Sequence, residues 1–500
     1  MLRRLEGQGE TAGRGVSLPE VHRVTERENG DLGYMFYPRS VAVAGASNRA
    51  GFSPGRRFVA ALVRSGFGGG VYPLNSTGGE VEGLKAYTSI LDVPEPLDHV
   101  ISSIPAAGTP QLMRDSIAKG VKVVHLFTAG FSETGTEEGR RLEAEILSIA
   151  RKGGIRIVGP NGMGLLCPES GLSFFTTALA LKGSVGLLSQ SGGNAQELIH
   201  AATLEGLGFN KVVSYGNAAD LNETDYLEFL ASDSSTEIIA GYIEGVRDGG
   251  RFPRVLARAA QKKPVILLKG GRTAAGGRAA SSHTGSLAGS RAVWQALCRQ
   301  TGAIDVRNLE EIVDLIKTFT YLSLPRGRNV GVVGLGGGRS VLSSDDCEGA
   351  GLNVPQFPEE TRRSLSEMIP EAGTSVRNPI DSAPVVVQNL ELFARTLGLV
   401  ARSEVIDFLM VFLYAEVPMY ADNPALLQGH VDTVMKAAPT LGKPVVLVLG
   451  TGGAEWIAKE VHEARETCLR AGFPIFSSVE SAARAISRYI GYHEDRDGRK

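Results

Sequence analysis

Ser281-Ser282-His283-Thr284-Gly285-Ser286-Leu287-Ala288-Gly289 sets one imidazole in a run of Gly, Ala and Ser that extends back to Gly270, with Arg272 and Arg278 nearby. Imidazole is a nucleophile near neutral pH. A histidine off any apolar periodic face, in a segment that reads as a mobile loop, suits reversible attachment of a group; the other reading is a solvent-facing linker histidine. Two further segments have the chemistry of anion cradles. Val185-Gly186-Leu187-Leu188-Ser189 runs into Gln190-Ser191-Gly192-Gly193-Asn194, and Val330–Val333 runs into Gly334-Leu335-Gly336-Gly337-Gly338-Arg339-Ser340. Each is a strand, a glycine turn and a helix start, where backbone N–H groups and the positive end of the helix dipole meet an anion. Ser189, Ser191, Gly192, Gly193, Gly336, Gly337, Gly338 and Arg339 are the candidate phosphate contacts. A third turn, Gly45-Ala46-Ser47-Asn48 with Pro54-Gly55 behind it, resembles a nucleotide-type phosphate loop. Its spacing is not G-x-G-x-x-G, and the following strand ends in Asn75 where an NAD site wants an acid, so NAD is disfavoured.

These groups must be held by sheets. From Ser40 the chain alternates short apolar runs with helical stretches, the pattern of parallel sheets covered by helices. Strands are expected at Ser40–Ala44, Val71–Leu74, His99–Ile104, Val121–Leu126 and Ile155–Val158, with helices at Pro110–Lys119 and Glu137–Lys152. A second unit follows with strands Ser184–Ser189, Lys211–Ser214, Ile238–Ile243 and Pro264–Leu268 and a helix Asn308–Leu322. After the Pro325-Arg326-Gly327-Arg328 linker, Asn329–Val333 opens a third unit with strands Val405–Phe412 and Pro444–Leu449 and a last helix Val479–Tyr489. The expected division is a loose tail over 1–33, then units at 34–165, 166–325 and 326–490.

Five hundred residues, 43% of them apolar, suffice for about three cores at roughly 150 residues each. A net charge of −2 gives no sign of a nucleic-acid or polybasic membrane surface. No apolar run approaches the length of a membrane span, and the N-terminus lacks a signal-peptide core. The scattered Cys167, Cys298, Cys347 and Cys468 have no metal-ligand spacing, which points to reduced thiols in the cytoplasm and to no metal site in the chain.

Taken in order, Gly45-Ala46-Ser47, Gly159-Pro160-Asn161, Ser189-Gln190-Ser191-Gly192, Tyr215-Gly216-Asn217 with Asp220, Tyr242-Ile243-Glu244-Gly245, Ser282-His283-Thr284-Gly285 and Asn378-Pro379-Ile380-Asp381 resemble the α subunit of the NDP-forming acyl-CoA synthetases. That group includes the ADP-forming acetyl-CoA synthetases and, more distantly, succinyl-CoA synthetase. The resemblance, from about Tyr37 to Tyr489, implies an α/β protein with a Rossmann-like CoA-binding domain followed by two flavodoxin-like domains. It implies an acid-thiol ligase in which carboxylate, CoA and ATP exchange with acyl-CoA, ADP and phosphate through an acyl phosphate and phospho-His283. For that chemistry His283 must be neutral with its second ring nitrogen held by an acceptor; Glu244, at the expected end of Ile238–Ile243, is the candidate. Coenzyme A is then expected near Gly45, Ala46, Ser47, Asn48, Asn75, Ile104, Pro105 and Asn161. The three units leave no room for an ATP-grasp fold, so the resemblance implies that ATP/ADP and Mg are handled by a separate ATP-grasp β subunit in a hetero-oligomer, with an α dimer also open. The substrate is a small carboxylic acid or its acyl-CoA. Three departures stand out: Asn75-Ser76-Thr77 replaces Asn-Pro-Lys, Gly162 replaces a common cysteine, and Arg339 enters the third turn. A CoA-binding sensor or scaffold that lost catalysis is the rival reading.

Overall fold

The computed structural model describes residues 32–48, 53–174, 180–284, 289–334, 337–369, 375–381, 386 and 388–498, with the side chains of 281–284, 337 and 497 outside the description. Three parallel sheets follow one another along the chain. The first contains β1 (Ser40–Ala44), β2 (Gly70–Leu74), β5 (His99–Ser102), β6 (Val123–Leu126) and β7 (Arg156–Val158) in the order β2-β1-β5-β6-β7, with a small hairpin, β3 (Gly79–Val81) and β4 (Leu84–Ala86), standing apart. Chain order reverses between β1 and β5, the crevice where open α/β sheets collect ligands. Leu32 is buried with Met35 and Phe36; the Phe36 ring stacks on Phe229 of the second unit at 5.5 Å.

The second sheet is built from β8 (Gly164–Leu166), β9 (Lys182–Ser189), β10 (Phe209–Ser214), β11 (Ile238–Ile243), β12 (Val265–Lys269) and β13 (Ile304–Val306), in the order β13-β12-β11-β9-β10-β8. Sequence periodicity missed β8, which pairs antiparallel with β10 at the sheet's edge. The chain therefore enters the second sheet by Gly164, slightly earlier than the expected division at 165/166. The third sheet takes β14 (Val330–Gly334), β15 (Ile380–Asp381), β16 (Phe408–Tyr414), β17 (Val445–Gly450) and β18 (Ile475–Phe476) in the order β15-β14-β16-β17-β18. Set aside β8 and all three sheets share the flavodoxin-like order 2-1-3-4-5. The glycine turns after β1 and β9 accordingly leave the carboxyl end of a strand at a switch point.

The units are joined by specific contacts. Arg156 of β7 makes a bidentate pair with Asp220 at 2.8 and 3.1 Å, and Asp220 also accepts from the Ile157 N–H. This gives Asp220, one of the motif residues, a role in tying the first unit to the second. Between the second and third sheets, helix Leu309–Tyr321, started by the Asn308 cap, packs on helix Val479–Asp497. Glu311, 7% exposed, binds Arg307, just before the Asn308 cap, and Arg484 and Arg488 of the other helix, at 2.6, 3.1 and 2.8 Å. Lys317, 2% exposed, donates to the Ile475 carbonyl at 2.8 Å and pairs with Glu205 at 2.9 Å. The last helix continues past the expected Tyr489 because its next turn still has partners: Tyr492 is buried against Phe319, and Glu494 pairs with Arg328.

Candidate functional site

Glu244 follows β11 directly, beside the first cradle, and its residue is 4% exposed. Three neighbours fix it. The Gln190 side-chain carbonyl accepts from the Glu244 and Gly245 N–H groups at 2.8 and 3.0 Å. The Lys269 ammonium at the end of β12 donates to the Glu244 carbonyl at 2.6 Å and to the Gly270 carbonyl. Tyr242, two residues back and so on the same face of the strand, donates its hydroxyl to Glu244 Oε1 at 3.1 Å. Burial lowers the Lys269 pKa and Arg272 adds to that, while the Glu244 charge opposes them. Burial also raises the Tyr242 hydroxyl, reinforced by the Glu244 charge. A side chain at Gly270 would intrude here: its Cβ would stand 2.6 Å from the Tyr242 hydroxyl oxygen and 3.1 Å from Glu244 Cγ.

The first cradle adjoins this carboxylate because β11 and β9 are neighbours, with Tyr242 opposite Ser189. Ser189 is fully buried and donates to the Ser191 carbonyl at 2.7 Å, which shapes the turn. Ser191 is the N-cap of helix Gly192–Leu204 and accepts from the Asn194 N–H at 3.3 Å. Gly192 is required by a close approach, since a Cβ would lie 2.4 Å from Met163 Cγ, whereas Gly193 is exposed and a Cβ there would meet almost nothing. The turn is thus sculpted by Ser189, Ser191 and Gly192 and approachable at Gly193. In the third unit, Gly336 lies outside the described residues. Helix Gly337–Gly349 begins at the expected place, with Gly338 exposed. Arg339 lies over the Tyr414 ring at 4.1 Å and near that of Phe412 at 5.7 Å, so its guanidinium is docked on the end of β16.

The segment bearing His283 differs from expectation. Ala274–Thr284 is an α-helix where a mobile loop was expected. Alanine at 274, 275, 279 and 280 favours helix strongly enough to offset Gly276 and Gly277, and Thr273 starts it by accepting from the Gly276 N–H at 3.1 Å. His283 is in the last turn, its side chain outside the description. The helix packs against the first unit's turn Ser132–Thr134, where Glu133 accepts from the Gly130 and Phe131 N–H groups and from the Asn217 amide. The histidine segment is therefore placed at the junction of the first two units.

The expected coenzyme A residues gather at the carboxyl edges of the first sheet's strands. Gly45 adopts φ +88°, and its Cβ would clash with Ser103 at 2.7 Å; Gly55 in turn packs on the Gly45 backbone, where a Cβ would come within 2.6 Å. The Gly45 and Ala46 N–H groups both donate to the Leu74 carbonyl, at 2.9 and 3.1 Å. Asn75 donates to the Ala46 carbonyl at 3.0 Å and accepts from the Thr77 N–H and hydroxyl. These groups hold the turn. Asn48 donates to the Glu80 carbonyl at 2.6 Å. Half-buried Ile104 accepts from Thr128 at 2.9 Å, Pro105 is exposed beside it, and Asn161, at φ +56°, follows β7. Among the described residues, no helix is long and apolar enough to cross a membrane.

Sequence reasoning found Glu244 but overlooked Tyr242, Lys269 and Gln190 as its supports. The signals were present: a tyrosine two residues before the carboxylate on a strand, and a lysine closing the apolar run Val265–Leu268.

Comparison with known proteins gives the family. Residues 39–168 match the family described as "CoA binding domain", and residues 182–319 match "Succinyl-CoA ligase like flavodoxin domain". The alpha subunit of an ADP-forming acetate–CoA ligase II from Pyrococcus furiosus is 36% identical over 459 residues, covering 91% of this chain and 96% of the relative. An ADP-forming acetate–CoA ligase II from Archaeoglobus fulgidus is 33% identical over 93% of this chain and 68% of its own length. Among solved structures, an acetyl-coenzyme A synthetase 1 from Ca. Korarchaeum cryptofilum, in complex with phosphate and ADP, superposes with a TM-score of 0.79 at 30% identity, covering 94% of this chain and 98% of that one. With a CoA-binding unit at its start, a buried glutamate beside a glycine cradle and such relatives along its length, the chain belongs to the enzyme family of ADP-forming acyl-CoA ligase alpha subunits.

Proposed function

We propose that this chain exchanges an acyl-CoA and inorganic phosphate for free CoA, a carboxylate and a phosphoryl group carried on His283. In the first step a phosphate oxygen attacks the thioester carbonyl, the C–S bond breaks, and the phosphate proton passes to the departing thiolate. In the second, the lone pair of one His283 ring nitrogen attacks phosphorus, the P–O bond to the acyl group breaks, and the carboxylate leaves with that electron pair. Glu244 accepts a hydrogen bond from the other ring nitrogen, which keeps its proton and orients the ring. Backbone N–H groups at Gly192 and Gly193, with the helix dipole behind them, stabilise charge on the transferring phosphoryl. The glycine turn at Gly336-Gly337-Gly338 of the third unit is the second cradle, with Arg339 beside it. Coenzyme A lies along the first sheet's edge from Ser47 and Asn48 to Ile104, Pro105 and Asn161.

The observation that carries this reading is the buried Glu244, fastened at its backbone by Gln190 and Lys269 and at its carboxylate by Tyr242, next to an approachable cradle. ATP/ADP and Mg are handled by an ATP-grasp β subunit in a hetero-oligomer. Supporting this, the Pyrococcus relative is named a subunit alpha, and the Archaeoglobus relative extends well beyond the part this chain spans. Four buried free thiols accord with a reducing, cytoplasmic setting. The test is incubation with inorganic phosphate and a panel of acyl-CoAs, followed by intact mass. An acid-labile phosphoryl adduct is expected on the wild type, absent in His283→Ala and strongly reduced in Glu244→Gln. No adduct from any acyl-CoA, with CoA binding intact, overturns the phosphohistidine assignment.

A further inference from the structure

The Tyr242 hydroxyl stands between two parts of the site that reach it from different elements. On one side it donates to Glu244 Oε1 at 3.1 Å. On the other it neighbours the side chain of Asn194, which tempers the rise in its pKa; Asn194 is in the first turn of helix Gly192–Leu204, and its own N–H is capped by Ser191. The Tyr242 hydroxyl, donating to the Glu244 carboxylate, therefore sits between that carboxylate and Asn194 of the cradle helix. The surroundings leave room for this arrangement and little else. Gly270 is a residue at which any Cβ would collide with the Tyr242 hydroxyl, and β11 sets Tyr242 opposite Ser189 at the mouth of the cradle.

We infer that Tyr242 is a positioning residue for phosphoryl transfer: its hydroxyl holds the Glu244 carboxylate at a fixed separation from the cradle turn, so that imidazole and phosphoryl group meet in register. This deepens, and rests on, the assignment of Glu244 as the acceptor for His283. The physical basis is rotamer control. A glutamate side chain has three rotatable bonds, and the backbone anchors from Gln190 and Lys269 fix where the side chain starts but not where its carboxylate ends. Tyr242 fixes that end through its hydroxyl. Misplacement by even an ångström of a group that orients a nucleophile is costly to the transfer step while leaving substrate affinity alone.

The experiment is a quenched time course of chain phosphorylation from acetyl phosphate, read by intact mass, for wild type, Tyr242→Phe, Asn194→Ala and Glu244→Gln, alongside thermal melting of each. Tyr242→Phe keeps the ring and removes the hydroxyl. Its labelling rate constant is expected to fall about tenfold, the acetyl phosphate concentration at half-maximal rate to stay unchanged, and its melting temperature to match the wild type. Asn194→Ala, which removes the amide beside the Tyr242 hydroxyl, is expected to slow the same rate constant about two- to threefold. Wild-type labelling with slow Glu244→Gln and unaltered Tyr242→Phe overturns this inference alone. A Tyr242→Phe protein that melts early and loses acetyl phosphate affinity in proportion to rate also overturns it, because the role would then be general packing. A wild type that takes no label removes the Glu244–His283 assignment itself, and this inference with it.

Discussion

Two histidines buried in the first sheet make its stability depend on pH in a way that can be worked out from their surroundings. His99 of β5 has both ring nitrogens buried with no hydrogen-bond partner among the described residues, and His125 of the neighbouring strand donates from Nε2 to the Gly162 carbonyl at 2.9 Å. Burial pushes His99 down from 6.5 to about 3, helped by the adjacent His125 and opposed by Asp98. Burial likewise pushes His125 down from 6.5 to about 4, opposed by its bond to Gly162. Between these values and 6.5 the unfolded chain binds more protons than the folded one, so stability rises with pH in that window. The contribution is fully present above about pH 6.5 and drains away as pH falls towards the folded values. At about pH 5 each histidine has forfeited about 2 kcal/mol, or about 4 kcal/mol for the pair. A chain with three sheets has no single unfolding free energy, so the readout should be local. Hydrogen exchange, corrected for intrinsic rates, over peptides containing His99–Ser102 and Val123–Leu126 serves this purpose. Between about pH 7.5 and about pH 5, the opening equilibrium of these strands is expected to rise about a thousandfold in the wild type. In His99→Leu the rise should be about thirtyfold, because one of two titrating groups is gone. If wild type and variant lose protection in parallel as pH falls, the depressed His99 pKa, and the reasoning from its unpartnered burial, is refuted.

Two other perturbations follow from contacts at the site and between units. Gly270→Ala forces a Cβ to 2.6 Å from the Tyr242 hydroxyl oxygen; turnover is expected to drop at least about tenfold with melting little changed, and a fully active variant would show that Tyr242 and Glu244 have slack. Glu311→Ala removes the carboxylate shared by Arg307, Arg484 and Arg488 and leaves three guanidiniums around the vacated place, of which only Arg484 keeps another carboxylate, Glu480. Because those arginines are partly exposed, the expected loss is about 2 kcal/mol rather than the larger figure for a fully buried pair. It should be read as lowered denaturant midpoint and earlier exchange in helix Val479–Asp497, and rescue by high salt is expected. Equal midpoints for wild type and variant would refute it.

The parts of this molecule that were legible in sequence are those where local chemistry and final environment agree. Ile238–Ile243 and Ser40–Ala44 are unbroken apolar runs ended by Glu244 and Gly45, and the strands have those same limits. The glycine turns were legible because a strand, a glycine and a helix start sit side by side in the chain. What could not be read depended on distant partners or on competing signals. Gly164-Leu165-Leu166 is too short for periodicity, and it becomes a strand because β10, more than forty residues on, offers an open edge. The run before His283 carries loop-like glycines and helix-forming alanines in equal view, and the alanines with the Thr273 cap prevail. Asn75 had the right place for a ligand contact, yet its amide and carbonyl are taken up by Ala46 and Thr77. His99 and His125 read as two ordinary strand residues, since only the sheet brings their rings to 6.4 Å.

The helical layer shared by the second and third sheets constrains how the chain can be divided. Phe319 lies edge-on to Tyr489 and Tyr492 at 4.9 and 5.2 Å, Tyr489 donates to the Leu322 carbonyl at 3.0 Å, and the Lys317 ammonium lies over the Phe476 ring at 4.7 Å. A polypeptide stopped at the Pro325-Arg326-Gly327-Arg328 linker would present Phe319 and the apolar face of Leu309–Tyr321 to water, with a buried lysine stripped of one carbonyl partner. The reciprocal fragment would expose Tyr489 and Tyr492 and deprive Arg488 of its Glu311 partner, while Arg484 would keep only Glu480. On the ribosome the second unit therefore waits, partly uncovered, until the last helix has emerged about 170 residues later. That interval is where this protein is most exposed to aggregation and most in need of a chaperone.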